Sequence, residues 1–167
     1  MIKYLLALSL LVYLNFDSLQ KLWSHQDSRA IVVSELEVVR QKILRLRPKT
    51  DQNIVTEFSQ AVIKYGRQYR IDPDELIAIA FVESKFNPKA KSKTNDHGIM
   101  QINFKVWKKY LTRKEDLYNI NKCVELACKI IRKNRDSGYQ DLAYYHSRTP
   151  HLKMAYAARL EKCLAKI

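Results

Sequence analysis

The chain has 167 residues, of which 47% are hydrophobic and only three are glycine, and this favours one mainly helical domain with an appendage. Its net charge of +13 favours an anionic partner, such as nucleic acid, anionic lipid or a cell-wall polymer. The odd set Cys123, Cys128 and Cys163 argues against a disulfide framework, and no histidine pair has metal-ligand spacing. We therefore predict buried, unpaired cysteines, no metal and no cofactor.

The first predicted element is an apolar run at the N-terminus. One basic residue, Lys3, precedes eleven mostly apolar residues at 4–14. A spanning helix needs about 20 residues, so the length is closer to a signal-peptide core, yet no small-x-small cleavage pattern follows. An uncleaved signal-anchor, a cleaved signal and a buried helix all remain open. We take residues 1–16 as a signal or membrane anchor and expect inner-membrane association through residues 2–16.

A helix is predicted next over residues 28–46. Its apolar residues repeat at alternating spacings of four and three, which makes a short heptad seam: Val32, Leu36, Val39, Ile43 and Leu46. The seam could pack on the following domain or on a partner's helix. Because proline disfavours helix in the residue before it, Pro48 ends the segment. We predict a helical linker at 17–48 and the main domain at 49–167.

The main domain is predicted to be mainly helical. Helices are expected at 51–69, 72–84, 104–110, 119–134, 140–147 and 151–166. Asp72 should cap the second of these, with Glu75 reaching back to it, and Asn87-Pro88 should close it. A polar loop at 89–96 and an extended piece at 98–103 separate the second and third helices. The predicted fold class is mainly α, with a small irregular or β element near residues 90–103.

Glu83 interrupts the apolar face of the second helix. The residues that share this face by helical spacing are Leu76, Ile79 and Ala80. Burial and the negative end of the helix dipole both disfavour a charged carboxylate there. A carboxyl group held in this way can stay protonated near neutral pH and act as a general acid. The alternative is an ordinary surface glutamate in the last turn.

The residues around Glu83 form two sequence motifs. Glu-Ser-Lys-Phe-Asn-Pro occupies 83–88, and Thr-Asn-Asp-His-Gly-Ile-Met-Gln-Ile-Asn occupies 94–103. Together they resemble the catalytic core of the soluble lytic transglycosylases, lysozyme-fold enzymes that cut the glycan strands of bacterial peptidoglycan. The resemblance covers roughly residues 50–167. It implies an α+β lysozyme-like fold, peptidoglycan glycan strands as the partner, and Glu83 as catalytic acid and then base. Nucleic acid becomes the weaker alternative.

The resemblance also implies a set of substrate-binding residues, which we predict to be Ser84, Ser92, Gly98, Met100, Gln101, Tyr145, His146 and Tyr156. The last block, Ala-Tyr-Tyr-His-Ser at 143–147, departs from the family's Ala-Tyr-Asn-x-Gly. It can be aligned in two registers. We prefer Tyr145 as the family tyrosine, with His146 in place of asparagine, and Tyr144 is the alternative.

Asp96 is a second departure, because many lytic transglycosylases carry a small residue there. The segment is also similar to the corresponding stretch of egg-white-type lysozymes, in which this aspartate is the second carboxylate. Asp96 is therefore a possible catalytic residue, or else a loop residue that bonds local amides. With Asp96 as partner the enzyme would be a hydrolytic muramidase. Without it, the sugar's own N-acetyl and 6-hydroxyl groups would complete a 1,6-anhydromuramyl product.

These features predict a peptidoglycan lytic transglycosylase that opens the cell wall locally. We expect it in the cell envelope, either anchored in the inner membrane and facing the periplasm or carried by a virion. Phage entry or lysis and the assembly of a secretion machine are both compatible contexts. A basic, non-enzymatic virion or scaffold protein is the alternative from another functional class.

Overall fold

A computed structural model describes residues 34–167 of the chain. The chain divides into two compact units, 1–38 and 39–167. The predicted anchor at 1–16 and the start of the predicted linker lie outside the described residues. No helix within residues 34–167 is long and apolar enough to cross a membrane.

The first described helix, α1, covers residues 34–46. Two seam residues of the second unit, Val39 and Ile43, are only 4% and 1% exposed. They form part of the core of that unit. The sequence places the domain boundary at residue 48, whereas the contacts of the chain place it between Val38 and Val39.

Helix α2 spans Gln52–Tyr69 and begins where the side chain of Asp51 accepts hydrogen bonds from the amides of Asn53 and Ile54. Its buried face packs mainly against helix α5, Ile120–Asp136, which Asn119 caps in the same way through the amide of Lys122. Helices α2 and α5 each begin within one residue of the predicted start. A cap is a contact between residues that are close in the sequence, so the sequence alone reveals it.

Helix α3, Pro73–Ser84, is the central helix of the domain. Asp72 caps it as predicted. All five consecutive residues at 76–80 are fully buried, so the helix is enclosed on more sides than the single predicted apolar face. Glu75 does not complete a capping box; it accepts two hydrogen bonds from Arg135 of α5, at 2.7 and 2.9 Å.

Two residues in the left-handed conformation end α3, namely Lys85 with φ 55° and Phe86 with φ 62°. The predicted end of this helix at residue 84 is confirmed, although Lys85 and Phe86 close it, and not Asn87-Pro88 as predicted. The ring of Phe86 is 1% exposed, and its centroid lies 5.7 Å from those of Phe58 and Phe81. Burial of this ring offsets the strain of the left-handed turn and fixes the direction of the last turn of α3, which carries Glu83.

A two-stranded antiparallel sheet follows, with β1 at Asp96–His97 and β2 at Ile102–Asn103. Asp96 lies opposite Asn103. The prediction of one extended piece over 98–103 is wrong at 98–101, which form the turn between the strands.

The remaining elements are α4 at Phe104–Trp107, 3-10 helices at Lys108–Tyr110, Lys114–Tyr118 and Leu142–Tyr145, and α6 at Pro150–Leu164. The helix predicted over 140–147 is only the last of these 3-10 helices. Helix α6 packs against α3. The mainly α fold class with a small β element is confirmed.

The three cysteines are buried and unpaired, as predicted. Burial raises the pKa of Cys123 and of Cys128 to about 12. They therefore behave as small apolar side chains at neutral pH.

Candidate active site

Glu83 lies in the last turn of α3, where its carboxyl lines an open cleft of about 600 Å³. The side chain is only 14% exposed. Burial raises the pKa of Glu83 to about 7, and the negative charge of Asp96 adds to this rise, while Tyr156 and the cation of Arg159 act against it. Near neutral pH the carboxyl is therefore divided between its protonated and ionised forms.

His146 and Tyr156 form one side of the Glu83 environment. The Nδ1 of His146 lies 3.8 Å from the Glu83 Oε1. The imidazole stacks on the Tyr156 ring, with the centroids 4.6 Å apart and the planes 6° from parallel. Burial lowers the pKa of His146, and the charge of Arg159 lowers it further. The ring is therefore mainly neutral at pH 7.

The hydroxyl of Tyr156 is buried, and no other atom of the described residues meets it in hydrogen-bonding geometry. It nevertheless lies close enough to Glu83 for the two groups to shift each other's pKa. Burial is the main cause of the raised pKa of Tyr156. The structure thus places this predicted residue beside Glu83.

Asp96 lines the same cleft and accepts hydrogen bonds from three side chains. The donors are Thr94, Ser92 at 2.7 Å and Asn103 at 2.8 Å. Partial burial alone would raise the pKa of Asp96, but these bonds outweigh it and lower the pKa below 3.8. Ser92, predicted to bind substrate, does not line the cleft and is a donor to Asp96. Neighbouring environments that push two carboxyl pKa values apart are typical of acid–base sites.

The turn at 98–101 is attached to both sides of the site. Ser84 donates to the carbonyl of Ile99 at 2.7 Å, and Tyr145 donates to the carbonyl of Met100 at 2.9 Å. Gln101 closes the turn by donating to the carbonyl of Gly98 at 2.9 Å. The turn therefore holds α3, which carries Glu83, in a defined position relative to residues 142–145.

Gly98 has φ 78°, and a Cβ at this position would lie 1.8 Å from the carbonyl oxygen of Leu117. The absence of a side chain is thus needed for packing against the protein's own backbone. Ser84, Gly98 and Met100 do not line the cleft, whereas Gln101, Tyr145 and His146 do. Ser84, Gly98 and Met100 instead stabilise the position of the residues around Glu83.

Both candidate tyrosines line the cleft, but they are held differently. Burial raises the pKa of Tyr145 well above its ordinary value, and its hydroxyl is bound to Met100. Tyr144 packs on Tyr139, with the ring centroids 4.8 Å apart, and Lys153 Nζ lies 4.5 Å from the centre of its ring. Tyr145 is therefore hydrogen-bonded to the second motif, and the preference for it as the family tyrosine stays a prediction.

Several functional candidates were missed at the sequence level. The far wall of the cleft includes Trp107, Lys133 and Arg148, and Val106 there is 64% exposed. Lys133 Nζ lies 5.7 Å from the Trp107 ring centre. An exposed apolar side chain beside an aromatic ring is suited to stacking on a sugar face. The aromatic residues that follow the second motif were the available signal.

Among residues 34–167, no group of three or more acidic, histidine or cysteine side chains could hold a metal ion. The cleft holds a partly protonated carboxyl, an ionised carboxylate and a neutral imidazole. This set can donate a proton to a leaving oxygen and stabilise positive charge on a sugar ring.

The profile of the family described as Transglycosylase SLT domain matches residues 60–162. The match includes Glu83, the hairpin and the Tyr144–Tyr145 block. A search of curated proteins finds no match to the chain.

Proposed function

Because the chain belongs to the Transglycosylase SLT domain family, we propose that it cleaves the β-1,4 bond between N-acetylmuramic acid and N-acetylglucosamine in peptidoglycan. The proposed product carries a 1,6-anhydromuramyl end. The observation that carries the proposal is the Glu83 carboxyl, which lines an open cleft and has a pKa raised by burial to about 7.

The raised pKa of Glu83 suits two successive proton transfers. In the first, the protonated carboxyl gives its proton to the glycosidic oxygen as the bond to the anomeric carbon breaks. In the second, the resulting carboxylate accepts the proton of the muramyl 6-hydroxyl as that oxygen bonds to the anomeric carbon. No water is consumed and Glu83 ends protonated, as it began. A catalytic pKa near the working pH serves both steps.

Asp96 has a different part in this proposal. Its lowered pKa keeps it ionised, and it lines the same cleft as Glu83. A fixed negative charge there stabilises the positive charge that builds at the anomeric carbon. The same observation favours a second candidate function, a muramidase in which Asp96 acts as the second catalytic carboxylate and water is the acceptor.

The cellular setting remains part of the proposal. The apolar run at 4–14 and the net charge of +13 support a place in the cell envelope, anchored to the inner membrane or carried by a virion. Local wall opening for a phage or a secretion machine fits both. A partner helix along 28–46 has less support, because Val39 and Ile43 of the seam are already buried within the second unit.

The test is analysis by mass spectrometry of the fragments released from purified sacculi. We expect anhydromuramyl ends, whereas reducing ends would identify a muramidase. Glu83→Gln should lower the rate about 10²- to 10⁴-fold, the contribution typical of a general acid. Glu115→Gln, at an exposed carboxyl outside the cleft, is the matched control and should keep the wild-type rate.

Asp96→Asn separates the two mechanisms. In a transglycosylase it should slow the reaction and leave the anhydromuramyl product unchanged. In a muramidase it should abolish the reducing-end product. Unchanged sacculus cleavage by Glu83→Gln would contradict both mechanisms, whereas no cleavage by the wild-type chain would favour a non-enzymatic protein.

A further inference from the structure

A second groove, of about 320 Å³, lies between α3 and α6 and is distinct from the Glu83 cleft. Its apolar floor is formed by Phe81, Val82 and Cys163. Its rim is formed by four basic side chains, Lys85, Arg159, Lys162 and Lys166. Val82 and Glu83 are consecutive in α3 and so project about 100° apart. The groove and the cleft therefore open on different faces of this helix.

The rim is a cluster of positive charge, in which Arg159 also acts on the Glu83 carboxyl of the cleft. Within residues 34–167, none of its four cations has an ion pair with a carboxylate. Glu161 is the single acidic residue of α6, and no acidic side chain lines the groove. Lys162 lies in the last turn of α6 and Lys166 lies two residues beyond its end, and both line the same groove, where like charges repel. An anionic ligand would relieve this repulsion.

The floor indicates that the ligand is more than a simple anion. Phe81 and Val82 are partly exposed, and the Nζ of Lys85 lies 3.8 Å from the centre of the Phe81 ring. Long basic side chains commonly lay their aliphatic parts over apolar surface and keep their charges in water. An apolar floor behind a rim of cations suits a ligand with an anionic group next to an apolar one, as in a phospholipid.

The positive charge continues into a neighbouring, smaller groove of about 170 Å³, which shares Lys85 and adds Arg47 and Lys49. Arg47 donates to the carbonyl of Lys85 at 2.6 Å, so the two grooves are joined at this point. Asp51 is the acidic residue of the second groove, and its carboxylate is occupied as the cap of α2. The joined surface, which we call the basic face, consists of Arg47, Lys49, Lys85, Arg159, Lys162 and Lys166.

We propose that the basic face docks on the headgroups of an anionic phospholipid surface. Each Lys or Arg near such a surface contributes to binding, and clusters of four to eight are typical of lipid-binding segments. The apolar run at 4–14 of the same chain is a separate feature that favours a lipid surface over other polyanions. This docking leaves the Glu83 cleft on another face of α3 and does not depend on the proposed activity.

The test is cosedimentation of the full chain with vesicles of phosphatidylcholine alone and with vesicles that also contain phosphatidylglycerol. The neutral vesicles measure any binding due to apolar residues. The groove variant Lys85→Gln/Lys162→Gln/Lys166→Gln is compared with a control, Lys64→Gln/Arg70→Gln/Lys108→Gln, which removes the same charge at exposed positions outside both grooves. Thermal melts establish that both variants fold.

We expect stronger, salt-sensitive binding of the wild type to the anionic vesicles. The groove variant should bind them on the order of 100-fold more weakly, at about fivefold per charge, while the control should retain most of the binding. An equal loss of binding in both variants would show that binding depends on net charge alone. Unchanged binding by the groove variant would show that the basic face does not contact the vesicles. Either result overturns the proposal. If the groove variant lost its binding to purified sacculi but bound vesicles like the wild type, the basic face would be assigned to a wall polymer. That result would also overturn the proposal.

The Glu83→Gln variant keeps the two proposals apart. It should bind the anionic vesicles like the wild type even though it does not cleave glycan. The groove variant should release the same fragments from sacculi in the absence of lipid, because its three substituted residues do not line the cleft. A failure of vesicle binding therefore leaves the enzymatic proposal unaffected. A failure of glycan cleavage likewise leaves the lipid-binding proposal unaffected.

Discussion

At the scale of single residues, Glu83 couples the stability of the fold to pH. Its pKa is raised from 4.5 to about 7 because burial disfavours the charged form. The folded state therefore holds the proton more tightly than the unfolded state does. The resulting stabilisation is fully present below pH 4.5 and is lost as the pH rises through about 7. The group that we propose as the catalytic acid thus weakens the fold at the pH at which it works.

Glu83→Gln should remove this cost, because the amide resembles the neutral carboxyl. Between pH 4.5 and pH 8, the free energy of unfolding of the variant relative to the wild type should rise by up to about 3 kcal/mol, the equivalent of the shift in pKa. Urea denaturation at several pH values measures it. Glu115→Gln is the matched control for the loss of an exposed carboxyl. An equal effect of Glu83→Gln at all pH values would contradict the raised pKa.

Asp96 acts on stability in the opposite direction. Hydrogen bonds from Ser92, Thr94 and Asn103 outweigh its partial burial and lower its pKa below 3.8. Its contribution to folding is present above its unfolded pKa and is lost as the pH falls through the lower, folded value. The two carboxyls of the cleft therefore change the stability of the fold in opposite directions as the pH changes.

At the scale of elements, the turn at 98–101 connects the parts of the site. It receives hydrogen bonds from Ser84 on one side and from Tyr145 on the other. Below it, the buried Cys123 lies close enough to the backbone of Met100 and Ile99 for both to act on the pKa of its thiol. Displacement of this turn would therefore disturb the Glu83 region through Ser84 and would also move Gln101, which lines the cleft.

Gly98→Ala tests that connection. A Cβ there would lie 1.8 Å from the Leu117 carbonyl oxygen, at φ 78°, so the backbone must move. We expect destabilisation by about 4 kcal/mol or more, the range of exceptional substitutions. Gly138→Ala is the control, because its φ of 86° is similar but its Cβ would meet no atom within 4 Å. It should cost only about 1–2 kcal/mol, from backbone strain alone. Equal costs in urea denaturation would show that packing against Leu117 is unimportant.

The same elements show how much of the structure could be predicted from the sequence. The starts of α2, α3 and α5 were predicted closely, because Asp51, Asp72 and Asn119 cap the amides that follow them. The turn at 98–101 was missed because its partners lie far away in the chain. Glu75 was misassigned for the same reason, since its partner Arg135 is 60 residues away.

The candidate site was predictable to a similar extent. Glu83 stood out because it interrupts an apolar helical face, which is a local pattern. The supporting roles of Ser84, Gly98 and Met100 depend on contacts with Ile99, Leu117 and Tyr145, which no local pattern reveals. Trp107 and Lys133 meet across the cleft only after α4 and α5 have packed.

At the scale of the whole molecule, the second unit begins within α1 and not after it. Val39 and Ile43 are buried in this unit. The Nζ of Lys42 lies 2.6 Å from Oδ1 and 2.5 Å from Oδ2 of Asp74 in α3. Arg47 adds the hydrogen bond to the carbonyl of Lys85, directly after the last turn of α3. Residues 39–47 therefore hold the helix that carries Glu83 and belong to the folding unit of the active site.

A pair of truncated chains tests this boundary. A chain of residues 34–167 should fold, whereas one of residues 49–167 should melt on the order of 10 °C lower. The shorter chain lacks the buried side chains of Val39 and Ile43, whose burial stabilises the fold by about 1.5–3 kcal/mol each. It also lacks the polar contacts of Lys42 and Arg47. Thermal melts followed by circular dichroism measure the difference. Equal melting temperatures would place the boundary at residue 48, as the proline suggests.

Two point variants of the full chain separate packing from chain length. Val39→Ala removes a side chain that is 4% exposed, whereas Val38→Ala removes a neighbour that is 54% exposed. The first should cost about 2 kcal/mol through lost burial and an unfilled space, and the second well under 1 kcal/mol. If the unit depends on this helix, the Val39 variant should also show a faster loss of sacculus cleavage on heating. A similar response of both variants would mean that α1 adds length to the chain but does not stabilise α3.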